Sequence, residues 1–86
     1  MKKISVVILN WNGVGMLQKF LPKVLEYSQG EGVEVCVADN GSTDDSVAWL
    51  KANCPDVRVI VLDQNYGFAD GYNKALQQVE AEYVVL

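Results

Sequence analysis

The sequence predicts an α/β fold, an open parallel sheet of about four strands with three crossover helices on its faces. Three observations lead there. Apolar runs rich in β-branched residues recur as "ISVVIL" at 4–9, "VEVCVA" at 33–38, "VRVIVL" at 57–62 and "EYVVL" at 82–86. Stretches with helical spacing fill the three gaps between them. Strand and helix thus alternate throughout, the pattern of right-handed crossover units.

The first run has almost no polar interruption, as a strand covered on both faces requires, whereas the second and third alternate in part. Lys2 and Lys3 ahead of it resemble the start of a signal peptide, but the run stops at Asn10 with no small-residue cleavage site, so a buried strand is expected. In the first helix Leu17, Leu21, Val24 and Leu25 form an apolar stripe that Phe20 widens. Pro22 is expected to kink that helix or to mark a new first turn. The second helix turns Val47, Leu50 and Trp49 inward and ends at "NCP", 53–55. The third carries Ala69, Tyr72, Leu76 and Val79 on its inner stripe, with Lys74, Gln77 and Gln78 outward. The chain stops at Leu86 in mid-strand, which reads as the amino-terminal piece of a longer protein with an open sheet edge available for self-association.

At 86 residues there is room for one domain at most. A formal charge of -4 and no basic run argue against nucleic acid as a partner. Cys36 and Cys54 form no CxxC pattern and the chain has no histidine, which argues against zinc and makes a reduced cytoplasmic compartment the expectation. No run approaches the ~20 apolar residues of a spanning helix.

Ligands of such sheets bind beyond the carboxyl ends of the strands, so the loops there are the ones to read. After the first strand, Gly13-x-Gly15 in "NWNGVG" has part of a dinucleotide-binding turn, with Asp39 near the place of an acidic ribose partner. Gln18 replaces the third glycine, and Trp11 and Asn12 spoil the tight turn. Trp11 is either a core or lid residue or a flat platform for a base.

After the second strand, "DNGSTDDS" fails as a calcium loop, because its sixth position is Asp44 and its twelfth Leu50. Ser42 or Thr43 can cap the next helix, with Asp45 at capping-box spacing from Ser42 and Asp44 and Asp45 at the positive end of the dipole. Asp39 and Asn40 precede the cap, and Asp39 is placed to accept the ring N–H of a uracil or thymine and a ribose hydroxyl. After the third strand, Asn65, Gly67, Gly71 and Asn73 are costly around a helix start unless backbone approach or side-chain amides are needed there. As structure alone, 65–67 is a turn and Asp70 a cap.

Together "SVVILNWN", "VADNGSTDDS" and "NYGFADGYNKAL" closely resemble the amino-terminal nucleotide-binding half of the family 2 inverting glycosyltransferases, which have the Rossmann-like GT-A fold. The resemblance covers essentially residues 1–86 and implies an incomplete glycosyltransferase domain that is inactive alone. It implies that Leu9 and Trp11 line the base and that Asp39 hydrogen-bonds it, with Asn40 replacing the second acid of the commoner "DDGS" form. Asn12, Asn65, Gly67, Gly71 and Asn73 complete the implied nucleotide site, and the "NxGFAxGxN" stretch leans toward the branch with many rhamnosyl transferases. Tyr72 stands where many relatives carry arginine, which puts a cationic contact to the nucleotide in doubt. The resemblance further implies a UDP- or dTDP-linked sugar donor, a glycan or lipid-linked acceptor of the cell-envelope polysaccharide kind, and a place in the cytoplasm or at the inner membrane face. Its Mn or Mg motif and catalytic base would lie after Leu86, with neither held by these residues. Two rival readings remain: a non-catalytic nucleotide-binding or self-assembling module, and an NAD-type domain.

Overall fold

A computed structural model describes residues 2–85. The chain runs β1 (Lys2–Asn10), α1 (Val14–Tyr27), β2 (Val33–Asp39), α2 (Ser46–Asn53), β3 (Arg58–Val61), α3 (Phe68–Leu76) and β4 (Ala81–Val85). The strands form one parallel sheet in the order β3-β2-β1-β4, as the alternating pattern predicts. Leu86, the last residue of the fourth apolar run, lies outside the described residues.

Strand alternation sorts the core into two layers. Val35 and Val37 face α1 and α2, where they meet Leu17, Leu21, Leu50, Cys54 and Val57. Val7, Cys36, Ala38, Ile60 and Leu62 face the other way, toward Ala75 of α3. The carboxyl part of β2 is therefore buried on both faces, and the partial alternation expected of the strand is absent: Val33 and Glu34 are both partly buried and the rest buried. Among the described residues no helix is long and apolar enough to cross a membrane.

Three details of the helices depart from the sequence reading. α1 runs on through Pro22, so no new first turn starts there, and Gln18 and Pro22 both lie on its exposed side. Phe20 is 48% exposed rather than part of the core stripe, and with Ile8, Leu9 and Met16 it lines a groove of about 150 Å³. In α3 the buried positions are Gly71 and Ala75, while Ala69 is exposed and Val79 lies beyond the helix. Close packing sets this rotation, since a Cβ on Gly71 would sit 3.0 Å from the Asn40 side chain and 3.1 Å from that of Leu9.

The start of α2 also differs from the expected cap. Asp45 holds the N-cap position but makes no side-chain capping bond, and neither Ser42 nor Thr43 caps the helix. Asp44 does the work instead: its Oδ1 accepts the N–H of Ser46 at 2.9 Å and the Ser46 hydroxyl. Its Oδ2 accepts the N–H of Val14, the first residue of α1, at 3.2 Å. One carboxylate thus sits at the positive ends of two helices. The Ser46 hydroxyl first, and then the N–H groups of Ser46 and Val14, hold Asp44 below the usual carboxylate range.

The loops after β2 and β3 meet at Gly41, whose φ is +76°. A Cβ there would lie 2.6 Å from the Gln64 carbonyl carbon and 2.7 Å from the Asn65 nitrogen. Gly41→Ala should therefore destabilise the protein by roughly 2–4 kcal/mol, from left-handed strain and overpacking. Gly15, helical and with open space around its Cβ position, should respond oppositely: Gly15→Ala is expected to stabilise by about 0.5–1 kcal/mol. Urea melts of the two variants check both signs. Burial pushes the Cys36 thiol up to about 11, with Arg58 lowering and Glu34 raising it, and burial raises Cys54 as well. At pH 8 both thiols should alkylate only as fast as the protein opens, a rate that mass spectrometry follows in native buffer and in urea.

Candidate functional site

From β1 the chain winds outward through β2 to β3, then returns to place β4 on the other side of β1. The order reverses between β1 and β4, and a ligand crevice belongs beyond the carboxyl ends of the strands there. The loops after β1, β2 and β3 converge at that end.

Asn10 and Asp39 are register partners at the ends of β1 and β2. Both are buried, and the Asn10 amide nitrogen donates to Asp39 Oδ1 at 3.0 Å. Ser42 donates twice to the same carboxylate, with its hydroxyl to Oδ1 at 2.6 Å and its N–H to Oδ2 at 2.9 Å. Asp39 is 1% exposed, so an incoming base meets no free face of it in this arrangement.

Ser42 passes the connection on, because its oxygen accepts the N–H of Asn12 at 2.8 Å. Asn12 has φ of 50°, the left-handed region that asparagine tolerates better than most residues. Its side-chain oxygen returns across the gap and accepts the N–H groups of Thr43 at 2.7 Å and Asp44 at 3.2 Å. The loops after β1 and β2 are thus cross-tied on both sides of Asn12. Next to it Trp11 is 54% exposed, which settles its place on the rim rather than in the core.

Asn40 makes the second tie, toward the loop after β3. It is 3% exposed; its amide nitrogen donates to Asn65 Oδ1 at 3.2 Å and to the Gly67 carbonyl at 3.1 Å, and its oxygen accepts the Tyr66 N–H at 3.0 Å. Asn65 Oδ1 also accepts the Gly67 N–H at 2.7 Å, which closes the turn. Gly67, at the N-cap of α3, has φ of +82° with nothing near its Cβ position, so backbone conformation rather than space demands glycine. Asp70 makes no capping bond to α3; it stands exposed in the first turn, as does Asn73 further along the helix.

Leu9 is partly buried on the α3 face, and its N–H donates to the Tyr72 hydroxyl oxygen at 3.2 Å. Tyr72 also holds Phe68 edge-to-face, with ring centroids 5.0 Å apart. Tyr66 donates its hydroxyl to Asp63, the bond that chiefly raises its pKa, and carries Lys74 4.6 Å from its ring centroid.

The sequence-predicted residues divide accordingly. Trp11, Asn12, Asn65, Gly67 and Asn73 are exposed around the crevice, Leu9 is partly buried, and Asp39, Asn40 and Gly71 lie beneath it. Sequence reasoning missed Asn10, although a polar residue ending an otherwise apolar strand is a readable signal. It also gave Ser42 to a helix cap, whereas its hydroxyl and N–H turn back to Asp39, three residues earlier in the chain. Among the described residues no buried side-chain nitrogen or oxygen lacks a partner. Nor does any group of three acidic, cysteine or histidine side chains among them suit a metal ion. A larger hollow of about 430 Å³ opens at the other end of the sheet, lined by Leu25, Ser28, Gln29, Glu34 and Asp56 among others. Its charged lining is wholly acidic, which disfavours anionic ligands.

The chain is similar in sequence or fold to known proteins. An uncharacterised glycosyltransferase of Nostoc sp. is 29% identical over 95% of this chain and 26% of its own length. The uncharacterised glycosyltransferase YfnE of Bacillus subtilis is 32% identical over 96% of this chain and 22% of its own. The chain therefore spans about a quarter of the length of these relatives. Among solved structures, the mannosyltransferase PcManGT from Pyrobaculum calidifontis, in complex with GDP-Man and Mn2+, superposes with a TM-score of 0.71 over 91% of this chain and 24% of that one. At 22% identity that likeness establishes the shared fold. Residues 5–86 match the model of the family described as Glycosyl transferase family 2, and since this match takes in nearly the whole sheet and every loop of the crevice, the chain belongs to that family.

Proposed function

We propose that the protein is a glycosyltransferase that moves a sugar from a nucleoside-diphosphate donor to an acceptor hydroxyl with inversion, and that residues 1–86 form the donor-nucleotide portion of its site. One observation carries the reading: Trp11 is held half-exposed at the carboxyl end of the central strand, beside the point where strand order reverses. A flat aromatic face there suits a nucleobase. Leu9 closes one side of that platform. Asn12, Asn65 and Asn73 supply exposed amide groups for ribose or phosphate, while Gly67 and Gly71 let backbone and ligand approach. Asn40 keeps the third loop in place.

These residues bind and orient; they transfer no proton and break no bond. In the proposed reaction a carboxylate from the region after Leu86 deprotonates the acceptor, which attacks the anomeric carbon from the face opposite the departing diphosphate. No three acidic, cysteine or histidine side chains among the described residues suit a divalent cation; a Mn or Mg ion would in this proposal be held by residues of that later region and would stabilise the departing diphosphate. The donor is read as UDP- or dTDP-linked, the acceptor as a glycan or lipid-linked sugar for the cell envelope, and the workplace as the cytoplasm or the inner membrane face. The GDP-Man of the mannosyltransferase neighbour supports a nucleotide-sugar donor in general.

A second reading, self-association through β4, draws support from the exposure of Tyr83, Val84 and Val85 on that edge strand. Sedimentation that changes with concentration would favour it. The NAD-type reading fares worse, since Gln18 stands exposed on α1 where that turn would carry its third glycine for close helix–strand packing.

Calorimetric titration with UDP, dTDP, GDP and NAD tests the main proposal. UDP or dTDP should bind, and Trp11→Ala should weaken that binding by about tenfold to a hundredfold, the worth of one base–aromatic stack. If no nucleotide binds, or if Trp11→Ala binds as the parent does, the proposal is wrong.

A further inference from the structure

We infer that Asp39 is a positioning residue, one that sets the Trp11–Asn12 arm of the crevice through Ser42 instead of touching the nucleotide. The inference rests on the nucleotide-binding reading and revises the part Asp39 plays in it.

The carboxylate is 1% exposed and already receives three donors: the Asn10 amide, the Ser42 hydroxyl and the Ser42 N–H. Oδ2 holds one donor and could accept another, but with the carboxylate 1% exposed a ring N–H could reach it only by moving the groups that cover it. What Asp39 does instead is fix the direction of a relay. A serine hydroxyl has one proton. Because Ser42 gives that proton to Asp39 at 2.6 Å, its oxygen is left to accept, and it accepts the Asn12 N–H at 2.8 Å. That bond fixes the backbone next to Trp11 while Asn12 holds its left-handed φ of 50° and its side chain ties down Thr43 and Asp44.

Only a carboxylate satisfies all three donors at once. An asparagine at the same place, with its NH2 in the Oδ2 position, would face the Ser42 N–H; with its NH2 in the Oδ1 position it would face the Asn10 amide. Either orientation sets donor against donor. Two models of Asp39 therefore predict different behaviour. A direct reader changed to amide would exchange its taste for the N3–H of uracil for the N3 acceptor of cytosine. A positioning residue would loosen the platform for every base alike.

The test uses protein expressed from the complete reading frame, with Asp39→Asn, Ser42→Ala and the double variant titrated with UDP and CDP. Hydrogen exchange at the Asn12 amide is read in parallel. The inference expects each single variant to weaken UDP and CDP by the same factor, about tenfold, with the double variant no worse than either single, as members of one relay behave. It also expects the Asn12 amide to exchange about tenfold faster in all three, a local change that general destabilisation would spread over the sheet. A shift of Asp39→Asn toward CDP with Ser42→Ala unchanged would overturn it, as would an Asn12 amide that exchanges at the parent rate in Ser42→Ala. If the parent protein binds no nucleotide, the proposed function fails, and the exchange data still decide whether Asp39 governs the arm.

Discussion

The hydrogen bond from Asn10 to Asp39 joins the ends of the two central strands, and the rest of the crevice depends on it. A strand end is where the backbone ladder stops supplying partners, so side chains must take over. Here an amide and a carboxylate in register do so, and the carboxylate has capacity left for Ser42. From Ser42 the order passes to Asn12 and the rim. Asn40, one residue after Asp39, repeats the device toward the third loop with its own amide. Two consecutive buried polar residues thus govern the two halves of the opening. Buried polar networks are costly unless fully paired, and among the described residues this one is.

Side chains can hold such loops only where the backbones come close. Gly41 brings the second loop against the third, and Gly71 brings α3 against Leu9 and Asn40. Both glycines lie within the stretches that give the family its sequence likeness. At Gly71 the need is steric, Gly41 adds a φ of +76° to its close contacts, and at Gly67 the φ of +82° alone is the constraint because the Cβ position is empty. Asp44 adds an electrostatic tie, a low-pKa carboxylate shared between the first N–H groups of α1 and α2. Protonation at low pH would weaken a bond to each helix at once. Its stabilising effect is present above the ordinary carboxylate pKa and lost as pH falls through the lowered one.

The strands and their parallel pairing were legible in the sequence, because β-branched runs and turn residues state them locally. Less legible were features fixed by contact across the chain. Ser42 looks like a helix cap beside Asp45, but its hydroxyl and N–H turn back to Asp39, and Asn12 takes its oxygen from across the chain. Ala69 fits the apolar period of α3, yet the helix turns so that Gly71, which has no side chain, can approach Asn40. Phe20 fits the stripe of α1, but no described element covers the sheet beneath it. Asp39 was read from its residue type and place at a strand end, which point to a ligand acceptor equally well whether the carboxylate is open or already occupied.

The central claim is that nucleotide is held at the carboxyl ends of β1 to β3 and not in the larger hollow at the opposite end. Amide chemical shifts measured during titration with UDP or dTDP test this directly. Shifts concentrated at Trp11, Asn12 and the 65–73 stretch are the predicted result. Shifts concentrated at Ser28, Gln29, Glu34 and Asp56, around the acidic hollow, would contradict the account.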